Sequence, residues 1–294
     1  MEAHCMFYLG RVEETRSNFD EAKSHYNDAL QHFQTEGKRR LSQLNYIKAK
    51  HDVDLEGKLT MELEAINLWA ARVLYHMASI HKAKGNIEGS INCYEEALRI
   101  RSQCKSTKKN GLNNALIHLA LARAFHDNEN YDKAIEYYSQ SLRTYLAYFG
   151  KDSSDVAETL TGMGKSFAMK GIYEKSMQCY DKAMRALEYR EGPAMKEKKG
   201  LLHREIADTV QRLDGDVFEV LEHYRSSVSF LEEYNERHRA VAISNDKIDP
   251  NMRLLLYYSE MLAILRDVLS MERDRNIRSE LRDEIGDVLH RMGN

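Results

Sequence analysis

Histidine and cysteine are the residues of this chain that could bind a transition metal, and neither occurs at a ligand spacing. Twelve histidines are present, and the nearest candidate pair, His76 and His81, is five residues apart. Residues five apart do not share a face of an α-helix. The four cysteines form no C-x-x-C pair, the spacing of many zinc and redox sites. The pattern therefore predicts no metal centre and no other cofactor.

Motifs for nucleophilic catalysis and nucleotide binding are missing from the sequence. It contains no G-x-S-x-G elbow, no P-loop and no H-E-x-x-H. The stretch 162–164 has the glycine spacing that begins a dinucleotide fingerprint, but no strand pattern precedes it. We predict that the chain is not an enzyme. An enzyme of unrecognised type, with converging polar groups of perturbed pKa, is a remote alternative.

The composition favours helices with a charged surface. Only 2 of 294 residues are proline, the strongest helix breaker, and 30% are charged. The net charge of −3 gives no indication of a nucleic-acid or membrane-surface partner. No stretch approaches the ~20 apolar residues of a membrane-spanning helix, and the N-terminus shows no apolar signal region. We predict a cytoplasmic or nuclear location.

Tyrosines at regular spacing mark an internal repeat. Five of them, separated by 68, 44, 42 and 44 residues, are Tyr26, Tyr94, Tyr138, Tyr180 and Tyr224. Sixteen residues before each, the sequence reads Gly10, Ala78, Ala122, Gly164 and Asp208. Small side chains let two antiparallel helices approach closely, so each repeat is predicted to be helix, turn, helix with a buried tyrosine. A lone pair cannot bury both of its faces, and the pairs must therefore stack.

Asp208 is the exception in this column of small residues. We expect it to be solvated because the fifth repeat packs loosely. A buried contact between helices is the alternative.

Two segments carry a family resemblance. Residues 85–98 (GNIEGSINCYEEAL) and 130–138 (NYDKAIEYY) resemble the second half of a tetratricopeptide repeat, and the resemblance covers about residues 3–234. It implies an all-α fold, an α-solenoid of stacked antiparallel helix pairs in a right-handed superhelix. The 42–44-residue spacing exceeds the usual 34. It is similar to the kinesin-light-chain style of repeat, whose clearest trace is 148–160 (YFGKDSSDVAETL).

The chain is predicted to have five segments. They are a first repeat at 1–36, an extended helical arm or degenerate repeat at 37–70, four repeats at 71–234, a linker at 235–250 and a capping helix pair at 251–294. An apolar series from Leu63 to Ile80 favours one helix over about 58–84. A turn between Ile66 and Val73 would instead indicate the degenerate repeat. The uncapped first repeat suits either a fragment of a longer protein or a face covered by a partner.

The resemblance also indicates where a ligand would bind, because two columns of the family's first helices face a concave groove. The candidate peptide-binding residues are Arg11, Tyr75, Lys82, Leu119, Arg123, His126, Lys165 and Arg212. Their cations would dock an acidic or phosphorylated segment through charge-assisted hydrogen bonds. An ordinary solvated helix face is the alternative.

The function predicted from the sequence is that of a protein–protein interaction scaffold or adaptor. It would bind an extended, acidic peptide segment in the groove, with no nucleic-acid or membrane partner. A regulatory sensor region of a larger signalling or motor-associated assembly is the alternative. The sequence leaves the partner and the oligomeric state open.

Overall fold

The computed structural model of the chain describes residues 2–104, 108–213, 215–242, 250–271 and 275–293, and all its regular structure there is helical. Those residues form α1 (Glu2–Thr15), α2 (Phe19–Lys50), α3 (Val53–Ala83), α4 (Ile87–Ser102), α5 (Lys108–Asp127), α6 (Tyr131–Phe149), α7 (Ser154–Met169), α8 (Tyr173–Leu187), α9 (Pro193–Arg212), α10 (Val217–Ala242), α11 (Pro250–Met271) and α12 (Arg275–Gly293). Successive helices pack side by side as pairs. The predicted all-α class is confirmed.

The chain divides into two compact units, Met1–Tyr148 and Phe149–Asn294. We call them unit 1 and unit 2. The odd-numbered helices are the first helices of their pairs: α1, α3 and α5 in unit 1, and α7, α9 and α11 in unit 2.

Local signals in the sequence set the helix ends. The side chain of Asn86 begins α4 by accepting a hydrogen bond from the backbone N–H of Gly89 at 2.8 Å, and Asp52 caps α3 in the same way. Gly85 and Gly171 follow α3 and α7 with φ angles of 74° and 73°, a conformation that costs glycine little. These two turns therefore lie at glycines, whereas Ser17 and Glu129 adopt positive φ angles of 63° and 58° in the turns after α1 and α5.

The anchor tyrosines form the centre of each helix pair, as predicted. All five are at most 4% exposed. A Cβ atom added at Gly10 would lie 2.7 Å from the ring of Tyr26, and one at Gly164 would collide with the ring of Tyr180. The small residue on the first helix is therefore required by the tyrosine on the second.

Asp208 corrects one expectation, since its carboxylate is neither isolated nor fully solvated. It is half-buried and accepts a hydrogen bond of 2.7 Å from the hydroxyl of Tyr224. The pair is also tightly packed: the hydroxyl of Ser227 donates to the carbonyl of Gly200 at 2.8 Å. A carboxylate stands at the small-residue position here and accepts from the buried tyrosine hydroxyl.

Residues 37–70 belong to two long helices. α2 and α3 have 32 and 31 residues, whereas α5, α7 and α9 have 20, 16 and 20. The single helix predicted over 58–84 is present and has no turn between Ile66 and Val73. A Cβ atom at Gly37 would lie 3.6 Å from the side chain of Ile66, so this glycine lies at a close helix contact. Residues 37–50 and 53–70 therefore lie within α2 and α3, and the extended helical arm stays a prediction.

The boundary of the predicted linker differs in the structure. α10 continues to Ala242, so residues 235–242 are helical, and Asn235 is buried. No proline or glycine occurs between Val217 and Asp249 to end the helix earlier. Residues 243–249 of the predicted linker lie outside the described residues. α11 and α12 occupy the segment assigned to the C-terminal helix pair.

Candidate peptide-binding surface

In unit 1, a half-buried carboxylate links α1 and α3, the first helices of the first two pairs. Glu14 of α1 accepts hydrogen bonds from Tyr26 at 2.6 Å, from Ser79 at 2.7 Å and from His76 Nδ1 at 3.1 Å. Burial by itself would raise the pKa of Glu14, but the bonds from His76, Tyr26 and Ser79 hold that pKa at about 2. Glu14 is therefore ionised at neutral pH, and its carboxylate is bound by side chains of the same chain.

Arg11 lies beside this network with part of its charge exposed. Its Nη1 donates to His76 Nε2 at 3.5 Å, and its Nε lies 3.8 Å from Glu14. The side chain is 41% exposed. Because Glu14 already accepts three shorter hydrogen bonds, Arg11 can bind a further anion. Tyr75 contacts the same histidine, with ring centroids 5.5 Å apart, so the structure brings Arg11 and Tyr75 together around His76.

Next to Arg11, aromatic rings and a second arginine form a group that we call the aromatic–arginine cluster: Phe7, which is fully buried, and Tyr8, Trp69 and Arg72. The guanidinium of Arg72 lies 5.2 Å from the ring centroid of Phe7 and 5.1 Å from that of Trp69. Tyr8 packs against Phe7 at 5.4 Å and is 54% exposed. Tyrosine, tryptophan and arginine are the residues enriched in protein-binding hot spots.

The sequence contained a signal for this cluster that the predicted site did not use. Arg72, His76 and Ser79 are spaced i, i+4 and i+7, so they share one face of α3. Ser79 follows Ala78 as Arg11 follows Gly10, so it occupies the same repeat position as Arg11, a candidate peptide-binding residue. Arg72 lies two helical turns before Ser79 on the same face.

The remaining predicted residues of unit 1 have other contacts. Lys82 of α3 forms an ion pair of 2.7 Å with Asp127 of α5, so its charge is balanced within the chain. His126 is half-buried and packs edge-on against Tyr131 at 5.4 Å. Arg123 is half-buried on α5.

Leu119 corrects the predicted site. It is only 6% exposed, because it faces the interior of the helix stack, and it offers almost no surface to a ligand. Leu116, one turn earlier on α5, is 44% exposed and is the apolar residue that this helix presents to solvent.

In unit 2, the predicted cation on α7 is paired with its own chain. Lys165 forms an ion pair of 2.8 Å with Glu205 of α9. A second ion pair has the opposite arrangement: Lys198 of α9 donates to Glu158 of α7 at 2.8 Å. Arg212 is exposed, with Nη1 3.9 Å from the sulfur of Met169.

An arginine with two hydrogen bonds to one carboxylate links α9 and α11 in unit 2. Arg204 Nε and Nη2 donate to the two carboxylate oxygens of Glu260 on α11, each at 2.9 Å. The same guanidinium lies 5.1 Å from the ring of Tyr257 and 3.7 Å from Asp208. The hydrogen bonds to Glu260 raise the pKa of Arg204 above its usual range, so this cation is permanent and compensated.

Unit 2 also contains a histidine pair between α9 and α10. His203 Nδ1 and His223 Nδ1 are 3.0 Å apart. Burial lowers the pKa of both, and repulsion from His223 and Lys199 helps bring that of His203 to about 4. Both imidazoles are therefore neutral at physiological pH. Across the described ranges, no group of three or more His, Cys, Asp or Glu side chains is placed to hold a metal ion.

None of the helices in the described part of the chain combines the length and the apolar character needed to cross a membrane.

Comparison with known families identifies the repeats. Two family models, both described as tetratricopeptide repeat, match residues 111–188 and 71–104. No curated protein sequence matches the chain significantly.

Solved structures share the fold at low sequence identity. The crystal structure of BtubC (BKLC) from P. vanneervenii is 14% identical over 90% of this chain and 93% of that one, with a TM-score of 0.57. The apo form of RapI is 14% identical over 100% of this chain and 92% of that one, with a TM-score of 0.60. A putative kinesin light chain with TPR-like repeats from Podosopora anserina is 12% identical over 75% and 95%, with a TM-score of 0.48.

Proposed function

Since residues 71–104 and 111–188 match models of the tetratricopeptide repeat, we propose that the chain is an interaction scaffold that binds an extended, acidic peptide segment on the first helices of unit 1. The single observation that carries the proposal is the pair Arg11 and Arg72, which lie on either side of Phe7 and His76 next to an exposed tyrosine. Phe7 is fully buried, so an extended peptide running across α1 and α3 could contact both cations and the exposed ring of Tyr8.

The charges of the neighbouring residues support a site in unit 1. Glu14 is the carboxylate of this surface, and its hydrogen bonds to Tyr26, His76 and Ser79 limit what it contributes to Arg11. Lys82, in contrast, would have to give up Asp127 to bind a ligand. Replacing one exposed ion pair by another changes the binding free energy little, since each pair contributes only about 0.2–1 kcal/mol.

Affinity must therefore combine several charge contacts with apolar anchors. Tyr8 and Leu116 expose apolar surface on α1 and α5, and Tyr75 is half-buried on α3. Apolar surface contributes about 25 cal/mol for each Å² buried, and the charges steer the ligand and select its sign. The proposed ligand consequently has acidic residues interspersed with apolar ones.

Peptide display against the purified full chain tests the proposal. We expect the selected sequences to be enriched in Asp and Glu, and their binding to weaken with salt, because screening shortens to about 8 Å at physiological ionic strength. The double variant Arg11→Glu, Arg72→Glu should lose these peptides. Lys165→Glu is the matched control and should keep them, since Lys165 lies in unit 2 and is paired with Glu205.

Two results would reject the proposed function. One is a selection without acidic residues. The other is a double variant that folds normally by circular dichroism and still retains the acidic peptides.

A further inference from the structure

Arg72 is held in a defined orientation at the surface. Its residue is exposed, yet its guanidinium lies over two aromatic rings, Phe7 at 5.2 Å and Trp69 at 5.1 Å. Ring faces attract cations, and the planar guanidinium stacks on them while its N–H groups remain directed outward from the edge of the plane. Less conformational entropy is then lost when this side chain binds a ligand than for a freely rotating arginine.

No carboxylate among the described residues forms an ion pair with Arg72. Other arginines donate two hydrogen bonds to one carboxylate of the chain itself. Arg225, for example, donates to both oxygens of Glu284 at 2.7 and 2.6 Å. Arg204 is the closest parallel, because it too lies over an aromatic ring, that of Tyr257, and binds Glu260 through two hydrogen bonds. Arg72 has the ring contact of Arg204 without the carboxylate.

From this parallel we infer that Arg72 is the anchor for one side-chain carboxylate of a bound peptide, held by two parallel N–H···O bonds as Glu260 is held by Arg204. The inference rests on the proposed function and specifies its central contact. Tyr8, exposed and 6.4 Å from the ring of Trp69, lies next to the anchor and would receive an apolar side chain neighbouring the acidic residue.

The chain supplies its own reporter for this contact. Trp69 is the only tryptophan in the sequence and lies directly against Arg72, so intrinsic fluorescence monitors the proposed site. The probe is a capped Gly/Ser nonapeptide with a central Glu–Leu pair, titrated into the full chain. Matched peptides replace the Glu with Gln or with phosphoserine.

The expected result is a saturable change in Trp69 fluorescence with the Glu peptide and at least tenfold weaker binding of the Gln peptide. A tenfold change corresponds to about 1.4 kcal/mol, near the lower end for a hydrogen bond to a charged group. Arg72→Lys should weaken binding of the Glu peptide by a similar factor, because an ammonium cannot form the two parallel bonds. Arg99→Lys, at an exposed arginine already paired with Glu96, is the matched control and should bind as the wild type does.

Equal binding of the Glu and Gln peptides, wild-type affinity in Arg72→Lys, or no saturation by any peptide at about 1 mM would overturn the inference. Saturation by the phosphoserine peptide alone would also overturn it, since the ligand group would then be phosphate. Failure here can be distinguished from failure of the proposed function. If display still selects acidic peptides that Arg72→Lys retains, the scaffold stands and only the anchor is wrong.

Discussion

The first helices of the two units use similar cations in different ways. In unit 2, successive first helices supply each other's counter-charges, through Lys165 with Glu205 and Arg204 with Glu260. In unit 1, Lys82 and Asp127 form one such link, but Arg72 rests on aromatic rings instead. A cation's position in the repeat therefore does not decide whether it has a counter-charge. The residue opposite it on the next first helix decides that.

The buried tyrosine hydroxyls show a similar contrast. Tyr26 in unit 1 donates to Glu14 and Tyr224 in unit 2 to Asp208, so each reaches a carboxylate on the preceding first helix. Arg11 lies 3.8 Å from Glu14 with 41% of its side chain exposed, whereas Arg204, 3.7 Å from Asp208, is 25% exposed and also binds Glu260 through two hydrogen bonds. The arginine beside the carboxylate is therefore more exposed in unit 1 than in unit 2.

The largest expected effect tests what the units share. Tyr138→Ala in unit 1 and Tyr180→Ala in unit 2 should each destabilise the chain by about 3–5 kcal/mol, because each removes a buried aromatic ring from a tightly packed helix pair. Urea unfolding monitored by circular dichroism measures the change. Losses below about 1 kcal/mol in either variant would show that the repeat core of that unit does not depend on its anchor tyrosine.

A smaller effect should separate the two stacked arginines. Glu260→Gln leaves the half-buried Arg204 without its carboxylate and should destabilise the chain by about 1.5–3 kcal/mol, the range for hydrogen bonds to charged groups. Arg72→Gln removes a cation–π contact without stranding a charge and should cost about 0.5–1 kcal/mol. Equal losses in the same unfolding assay would contradict the distinction between the two arginines.

Periodic features made the fold predictable from the sequence. The tyrosine column and the small-residue column gave the helix pairs, and the unbroken apolar series from Leu63 to Ile80 gave the length of α3. The extent of α10 was missed because a charged segment was taken for a linker, although nothing in 235–242 breaks a helix.

The candidate site was less predictable, because it depends on contacts between helices. Arg11 and Tyr75 both contact His76, but the repeat columns could not show that Lys82 and Lys165 are paired with carboxylates 45 and 40 residues further along the chain. Leu119 was predicted to be exposed from its position in the repeat alone. In the structure it faces the interior of the helix stack and is buried. Arg72 was missed because its partners, Phe7 and Trp69, are aromatic rings on two different helices.

Protonation of His203 in unit 2 and of Glu14 in unit 1 should destabilise the chain in different pH ranges. The pKa of His203 falls from 6.5 to about 4 in the folded chain, so the unfolded chain takes up its proton first as the pH falls. The stability this histidine provides in unit 2 is complete above pH 6.5 and is lost between 6.5 and 4. The pKa of Glu14 falls from 4.5 to about 2, so the corresponding loss in unit 1 occurs between pH 4.5 and 2.

Each of these losses should amount to about 1–3 kcal/mol once the partial exposure of the groups is taken into account. Hydrogen exchange at pH 7 and pH 5 should show faster opening at pH 5 around α9 and α10. His203→Gln should remove most of that pH dependence, and Glu14→Gln should leave it intact. Unchanged opening around α9 and α10 at pH 5 would contradict the assignment.

The smallest expected effect concerns Lys165, the cation whose pairing distinguishes unit 2 from the proposed site. Its side chain is 41% exposed, so the ion pair with Glu205 is screened by solvent and contributes at most about 1 kcal/mol. Lys165→Met should therefore change the free energy of unfolding by less than that amount and leave the affinity for acidic peptides unchanged. Arg72→Met, an equally conservative removal of charge in unit 1, should weaken the same peptides by about tenfold. If Lys165→Met weakens them as much as Arg72→Met does, the paired cations also bind the ligand, and a counter-charge on the next first helix does not prevent binding.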